Sequence, residues 1–261
     1  MKARAFVRRA LSPRALLIRT LAVGVLSCTP PADAGPPPAT LVVGIDVSGS
    51  FRQTGQFEEA IDYAAMYIYG RLHGLGELRP ATAIFVGSLG GERAGEAKSF
   101  HPIQDLTGKS PEEIAADLRL WFSETDPNTD FNAFFDRVAV HVKRNNLVLA
   151  PLSVVMFSDG VPDFPGRSLP PEQLYAKVDV TPLDYLSRSV TVRLLYATPS
   201  VSQNWEQFVP RKRVRLWTQD AEVMQGWRRH VAPGVVAEEQ DALWDWTKEI
   251  VDFRVRRSRV I

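Results

Sequence analysis

Two short runs constrain this chain more than any other feature. Thr40-Leu41-Val42-Val43-Gly44-Ile45 and Leu152-Ser153-Val154-Val155-Met156-Phe157 are almost wholly apolar, and each stops at a polar cluster. A strand with one face in water alternates apolar and polar residues. A run without that alternation reads as a strand covered on both faces, as in a parallel sheet between layers of helices. The same pattern recurs at Ala83 to Val86 and Val190 to Tyr196, with a further strand at Arg213 to Trp217.

Helical periodicity fills the spaces between these runs. Phe57, Ile61, Ala64, Ile68 and Leu72 form one stripe, and Phe131, Phe134, Phe135, Val138 and Val142 form another. Ser110-Pro111-Glu112-Glu113 carries a capping serine, proline at the first helical position and glutamate three residues after the cap, which opens a helix there. Further helices are expected around 201–208 and 219–230, and an amphipathic one over 238–252, with Leu243, Trp246, Ile250 and Phe253, closes the chain. The glycine-rich stretch Gly87 to Gly95 reads as a turn between strands. The segment 87–125 is long for its place and predicts local elaboration. Strands alternating with helices predict an α/β fold with a doubly wound, mostly parallel central sheet flanked by helices, in a single domain over 40–255.

Three polar clusters stand where chemistry is expected in such a sheet. Asp46-Val47-Ser48-Gly49-Ser50 follows the first strand, Asn128-Thr129-Asp130 precedes the Phe131 helix, and Ser158-Asp159-Gly160 follows the Leu152 strand. Loops at the carboxyl ends of parallel strands lie side by side and form the usual ligand crevice, so clusters remote in sequence meet there. Ser48, Ser50 and Thr129 offer neutral hydroxyl oxygens, and Asp46 and Asp159 offer negative charge. That set suits a hard divalent cation, Mg²⁺ or Mn²⁺, which takes about six oxygens and keeps several waters. No His or Cys cluster lies in these loops, which argues against zinc or copper.

Asp46-x-Ser48-x-Ser50, with Thr129 and Asp159 downstream, resembles the metal-ion-dependent adhesion site of von Willebrand factor type A (vWA) domains. The likeness covers about residues 40–255 in motif and strand order and implies a Rossmann-like, vWA-type sheet. It implies that Ser48, Ser50 and Thr129 touch the metal while Asp46 and Asp159 act mostly through bound water. It also implies that a protein partner supplies an Asp or Glu carboxylate as the last ligand. The stretch before the threonine holds Pro127 and Asn128 in place of the family's usual glycines, which leaves Thr125 as the other threonine for that position. Phe51-Arg52-Gln53 lacks the acidic pair that builds a second site in some relatives, so one ion is expected.

The N-terminus reads as an address rather than as fold. Residues 1–34 start with basic residues up to Arg19, pass through the short apolar run Leu21 to Leu26, and end in small residues, the outline of a secretory signal. Val25-Leu26-Ser27-Cys28 resembles a lipobox with a lipidated Cys28; Ala32-Asp33-Ala34 fits cleavage by ordinary signal peptidase. Both stay open. Five prolines between Thr29 and Ala39 read as an extended tether running into a linker at 35–39, and 256–261 forms a basic tail. Export to the periplasm or lipid anchoring at the cell envelope follows, with membrane contact only through Cys28. As the only cysteine, Cys28 also excludes a disulfide within the chain.

The formal net charge of +1 hides an uneven distribution. Without the first 27 residues, 25 basic residues face 30 acidic ones, a net charge of −5, which gives no general electrostatic reason to bind nucleic acid. The function expected is an extracytoplasmic protein-binding module, for adhesion or assembly, that is not an enzyme. The alternative is a Mg²⁺-dependent phosphatase-like hydrolase, which wants an aspartate nucleophile with a second acid two residues on; here that position is Ser48. Asp130 and Asp163 read as solvated loop carboxylates. The four histidines are scattered, the tryptophans read as packing residues, and the Arg211 to Arg215 and Arg254 to Arg259 runs read as solvated charge.

Overall fold

The computed structural model describes residues 39–91, 98–164 and 169–253. The signal segment, Cys28, the proline-rich tether and the basic tail lie outside the described residues.

Strand β1 (Ala39–Ile45) leads through α1 (Gly49–Gln53) into α2 (Phe57–His73), then β2 (Ala81–Ser88), β3 (Gly90–Gly91) and β4 (His101–Pro102). Next come α3 (Pro111–Trp121), β5 (Asn128–Thr129), α4 (Phe131–Arg144), β6 (Leu152–Phe157) and α5 (Pro171–Tyr175). The chain continues through β7 (Val190–Ala197), α6 (Pro199–Phe208), β8 (Arg215–Asp220), α7 (Ala221–Met224) and α8 (Asp241–Trp246). Six strands form the main sheet in the order β4-β2-β1-β6-β7-β8. All pairs are parallel except the short edge strand β4, which runs antiparallel to β2. The order runs outward from β1 to one side and resumes from β6 to the other, so the doubly wound sheet has its switch point between β1 and β6.

Alternation along each strand divides the core in two. Leu41, Val43 and Ile45 of β1 and Val155 and Phe157 of β6 pack with α2, α3 and α8 on one face. Val42, Val154 and Met156 pack with the α4 stripe and Trp205 of α6 on the other. Phe131, Phe134, Phe135, Val138 and Val142 are all buried, as their spacing predicts. Gly44 admits this packing: a Cβ there would lie 2.4 Å from Leu89 Cδ2 and 2.8 Å from Phe134 Cζ. The capping box of α3 forms in full, with the Glu113 N–H donating to Ser110 Oγ and the Ser110 N–H to Glu113 Oε2.

Four expectations need correction. The segment Gly87 to Gly95 is not a simple turn: Gly87 and Ser88 end β2, the buried Leu89 donates its N–H to the Ile45 carbonyl, Gly90 and Gly91 pair antiparallel with Thr129 and Asn128, and 92–95 lie outside the described residues. The helix expected over 219–230 is α7 followed by a 3-10 segment, Gln225–His230; Gly226 is a poor helix former at the break. The closing helix over 238–252 is also divided. A 3-10 turn, Ala237–Glu239, precedes α8, and a π turn, Thr247–Val251, follows it. Gln240 leaves helical geometry at that junction because its buried amide bonds the Ala232 N–H and the Ala232 and Val235 carbonyls. Finally, β8 starts at Arg215 rather than Arg213, since the Arg213 and Val214 N–H groups donate to the Asp184 carboxylate instead of to a neighbouring strand.

Candidate metal centre

The switch point between β1 and β6 places Asp46 and Ser158 side by side. The Asp46 N–H donates to the Phe157 carbonyl (2.9 Å), continuing the β1–β6 ladder one residue past the strand, and the Ser158 N–H donates to Leu195. Asp46 is fully buried. Its Oδ1 accepts the Ser48 N–H (2.9 Å) and the Thr129 hydroxyl (3.4 Å), and its Oδ2 accepts the Ser158 hydroxyl (2.5 Å). Burial pushes the Asp46 carboxyl up from 3.8 to about 6; the bonds from Ser158 and Ser48 oppose that shift, and the charge of Asp159 adds to it.

The two serines stand above this carboxylate. Ser48 caps α1 through the Phe51 N–H, and Ser48 Oγ lies 3.1 Å from Ser50 Oγ. Adjacent vertices of an octahedron with metal–oxygen bonds of the Mg²⁺ length are about 2.9 Å apart, so this spacing is that of neighbouring ligands. Ser48, Ser50 and Thr129 line one cleft of about 600 Å³ together with Thr125, Asp126 and Asp163. Thr129 is held there by the β3–β5 pair, and the Asp163 N–H donates to its carbonyl. Asp130, not Thr129, caps α4, through the Ala133 N–H, which leaves the Thr129 hydroxyl to the site. Asp130 is thus a capping residue rather than a solvated loop carboxylate.

Four of the five expected residues, Asp46, Ser48, Ser50 and Thr129, are therefore joined by direct contacts. Asp159 is within electrostatic reach of Asp46, and its Oδ1 accepts the Val161 N–H (3.0 Å). Gly160 turns the chain with φ +76°, and its carbonyl accepts the indole N–H of buried Trp205. Thr125 lines the cleft, but Thr129 is the threonine whose hydroxyl reaches Asp46.

Ser158 was named in its cluster without a role, and Asp126 escaped sequence reasoning. Ser158 binds the buried carboxylate directly; its position beside Asp159, one residue past a buried strand, was the available signal. Asp126 is buried at the cleft wall, accepts the Ser88 hydroxyl (2.9 Å), and pairs with Lys98 (2.5 Å). Its N–H donates to the Val47 carbonyl, a non-local contact with no local sequence pattern. Among the described residues no group of three or more His, Cys, Asp or Glu side chains is gathered to hold a metal. The donor set at the cleft is hydroxyl-led, and a buried carboxylate with no cationic side chain among its partners fits a hard cation beside it. His101 stacks on Trp121 and His141 packs against Phe85 and Phe100, packing roles rather than ligation.

A doubly wound, mostly parallel sheet with an oxygen-rich loop cluster at its switch point makes this a Rossmann-like α/β domain, the kind of sheet the motif resemblance implies. It is similar to the SpaC pilus adhesin of Lactobacillus rhamnosus GG in its open conformation (TM-score 0.49, 9% identity, 83% of this chain and 31% of that one). It is also similar to the SpRpn10 VWA domain (TM-score 0.42, 12% identity, 78% and 93% covered). A third is proximal thread matrix protein 1 from the mussel byssus with a zinc-occupied MIDAS motif (TM-score 0.36, 12% identity, 72% and 44% covered). The chain thus spans about a third of the adhesin and under half of the byssus protein. No family model matches the sequence, and no curated protein matches it. Among the described residues no helix is long and apolar enough to cross a membrane.

Proposed function

We propose that this chain is a metal-dependent protein-binding module that uses one Mg²⁺ or Mn²⁺ to capture an Asp or Glu carboxylate of a partner protein. The observation that carries the reading is the pair of serine hydroxyls 3.1 Å apart at a cleft, above a buried Asp46 and beside Thr129. Ser48, Ser50 and Thr129 would hold the ion, with Asp46 and Asp159 supplying charge from behind. An ion held mainly by neutral oxygens keeps most of its positive charge and favours an anionic ligand at its open face. The residue two positions after Asp46 is a serine engaged in capping α1, and both Asp46 oxygens accept hydrogen bonds in the interior. Neither feature suits an aspartate nucleophile with a partner acid, so the module is read as non-enzymatic. In this reading residues 1–34 direct export, 35–39 tether the 40–255 domain, and the protein works at the cell envelope, with or without a lipid on Cys28.

Calorimetric titration of the full chain with Mg²⁺ and Mn²⁺, beside Asp46→Asn and Thr129→Val variants, tests the site. One-to-one binding in the parent that is lost in Asp46→Asn and weakened in Thr129→Val is expected. Tight binding untouched by either substitution would place the ion elsewhere and remove the proposal.

A further inference from the structure

The opposite end of the sheet carries a second concavity, of about 330 Å³, lined by residues at the starts of β1, β6 and β7. Ligand crevices in open α/β sheets form at the carboxyl ends of the strands, so topology alone gives no reason for a polar cavity here. Two of its lining side chains are buried arginines, Arg71 of α2 and Arg193 of β7. Arg71 Nε donates to the Arg79 carbonyl (2.7 Å), and its Nη1 donates to Tyr67 Oη (2.8 Å) and Asp252 Oδ1 (3.0 Å). Arg193 Nε donates to the Val251 carbonyl (2.6 Å), Nη1 to Ser153 Oγ (2.9 Å) and Nη2 to the Phe253 carbonyl (3.0 Å). Arg193 Nη2 also stands 3.8 Å from the same Asp252 Oδ1.

Two buried guanidinium groups therefore share one carboxylate oxygen, and their other partners are neutral. The other acid of the lining, Glu77, is exposed and paired with Lys248. Among the described residues that leaves the two buried guanidinium groups with about one positive charge unmatched, which an anion in the cavity would offset. Leu78, Leu152 and Phe253 add an apolar wall. We propose that this cavity binds the oxyanion group, phosphate or carboxylate, of a small organic molecule, seated against Arg71 and Arg193. The guanidinium fork matches such groups in geometry as well as in charge. The volume lies at the small end of ligand clefts.

The test titrates the full chain in EDTA, which removes any contribution from the metal centre, with phenyl phosphate, benzoate and inorganic phosphate, and with phenol as the uncharged control. One-to-one binding of at least one oxyanion and none of phenol is expected; the ratio of phenyl phosphate to benzoate affinity identifies the group preferred. Arg193→Gln should weaken binding about tenfold or more, the worth of a charge-assisted contact. Because Arg193 also holds the chain at 251–253, a second variant separates binding from folding. Thr191 lines the same cavity two residues before Arg193 on the same strand. Thr191→Glu supplies the missing negative charge from within, so it should raise the melting temperature and abolish anion binding. Binding of no oxyanion by the parent, or anion binding that Thr191→Glu leaves intact, would overturn the proposal.

Discussion

Substituting Asp46 by Asn should stabilise the metal-free protein at neutral pH while destroying its response to divalent cations. The carboxyl is fully buried, and burial raises its pKa from 3.8 to about 6, against the opposing hydrogen bonds from Ser158 and Ser48. The folded protein therefore holds this proton more tightly than the unfolded chain does. The stabilisation from the protonated form is fully present below pH 3.8 and is lost as pH rises through about 6. A shift of that size corresponds to about 3 kcal/mol of destabilisation at pH 7.

Asparagine keeps the shape and an acceptor for the Ser48 N–H, and its amide can donate to Ser158 Oγ, without the charge. Urea unfolding in EDTA should thus show Asp46→Asn more stable than the parent by up to about 3 kcal/mol at pH 7, with the difference shrinking toward zero near pH 4. Mg²⁺ at a thousand times its Kd should reverse the order, since it adds about 4.1 kcal/mol to the parent alone. A variant less stable than the parent in EDTA at pH 7 would refute the claim that a buried, uncompensated charge sits at this position.

Three further outcomes follow from the packing around the site. Gly160→Ala puts a Cβ on a residue with φ +76° and 2.5 Å from Leu194 Cδ2, so chemical denaturation should show a loss of about 2–4 kcal/mol from strain and overpacking combined. Gly44→Ala drives a methyl into Leu89 and Phe134 between β1 and α4 and should cost about 1–3 kcal/mol in the same assay. Lys98→Met leaves Asp126 buried without its counter-ion. Because Lys98 is partly exposed, the loss should be about 1–3 kcal/mol rather than that of a fully buried pair, and adding Asp126→Asn should recover most of it in a double-mutant cycle.

The fold was legible where burial is continuous. β6 matches its apolar run residue for residue, β1 starts one residue before its run, and α4 starts at the first residue of its stripe and ends two past the last, because strands covered on both faces and an amphipathic helix leave a pattern that solvent imposes. The starts of helices read equally well where the cap is local, as at Ser110. What failed was set by single side chains acting at a distance. Gln240 breaks the closing helix to satisfy the 232–235 loop, and Asp184 takes the N–H groups that β8 would need at Arg213 and Val214. Neither bond has a sequence period. The candidate site divides the same way. Asp46, Ser48 and Ser50 fall in one turn and were visible together, whereas Asp126 is held beside them by its N–H to the Val47 carbonyl and pairs with Lys98, and no spacing rule connects either to the motif.

The cleft's acidic wall bears on how selective the proposed centre can be. Of the carboxylates near it, Asp46 is buried and bonded on both oxygens, and Asp126 is neutralised by Lys98. Asp130 is spent on the α4 cap. An ion seated on the three hydroxyls would thus be backed by Asp46 and Asp159, with Asp163 as a further carboxylate of the cleft lining, rather than caged by direct carboxylates. A cage rich in direct carboxylates would bind the cation tightly and repel an incoming acid. A hydroxyl-led site binds the cation more weakly and leaves its field directed outward, so metal and partner carboxylate should each raise the affinity for the other. The coupling is measurable as a Mg²⁺ affinity that rises when a soluble carboxylate such as acetate or glutarate is present, and equal affinities with and without it would show that the open face does not accept an acid.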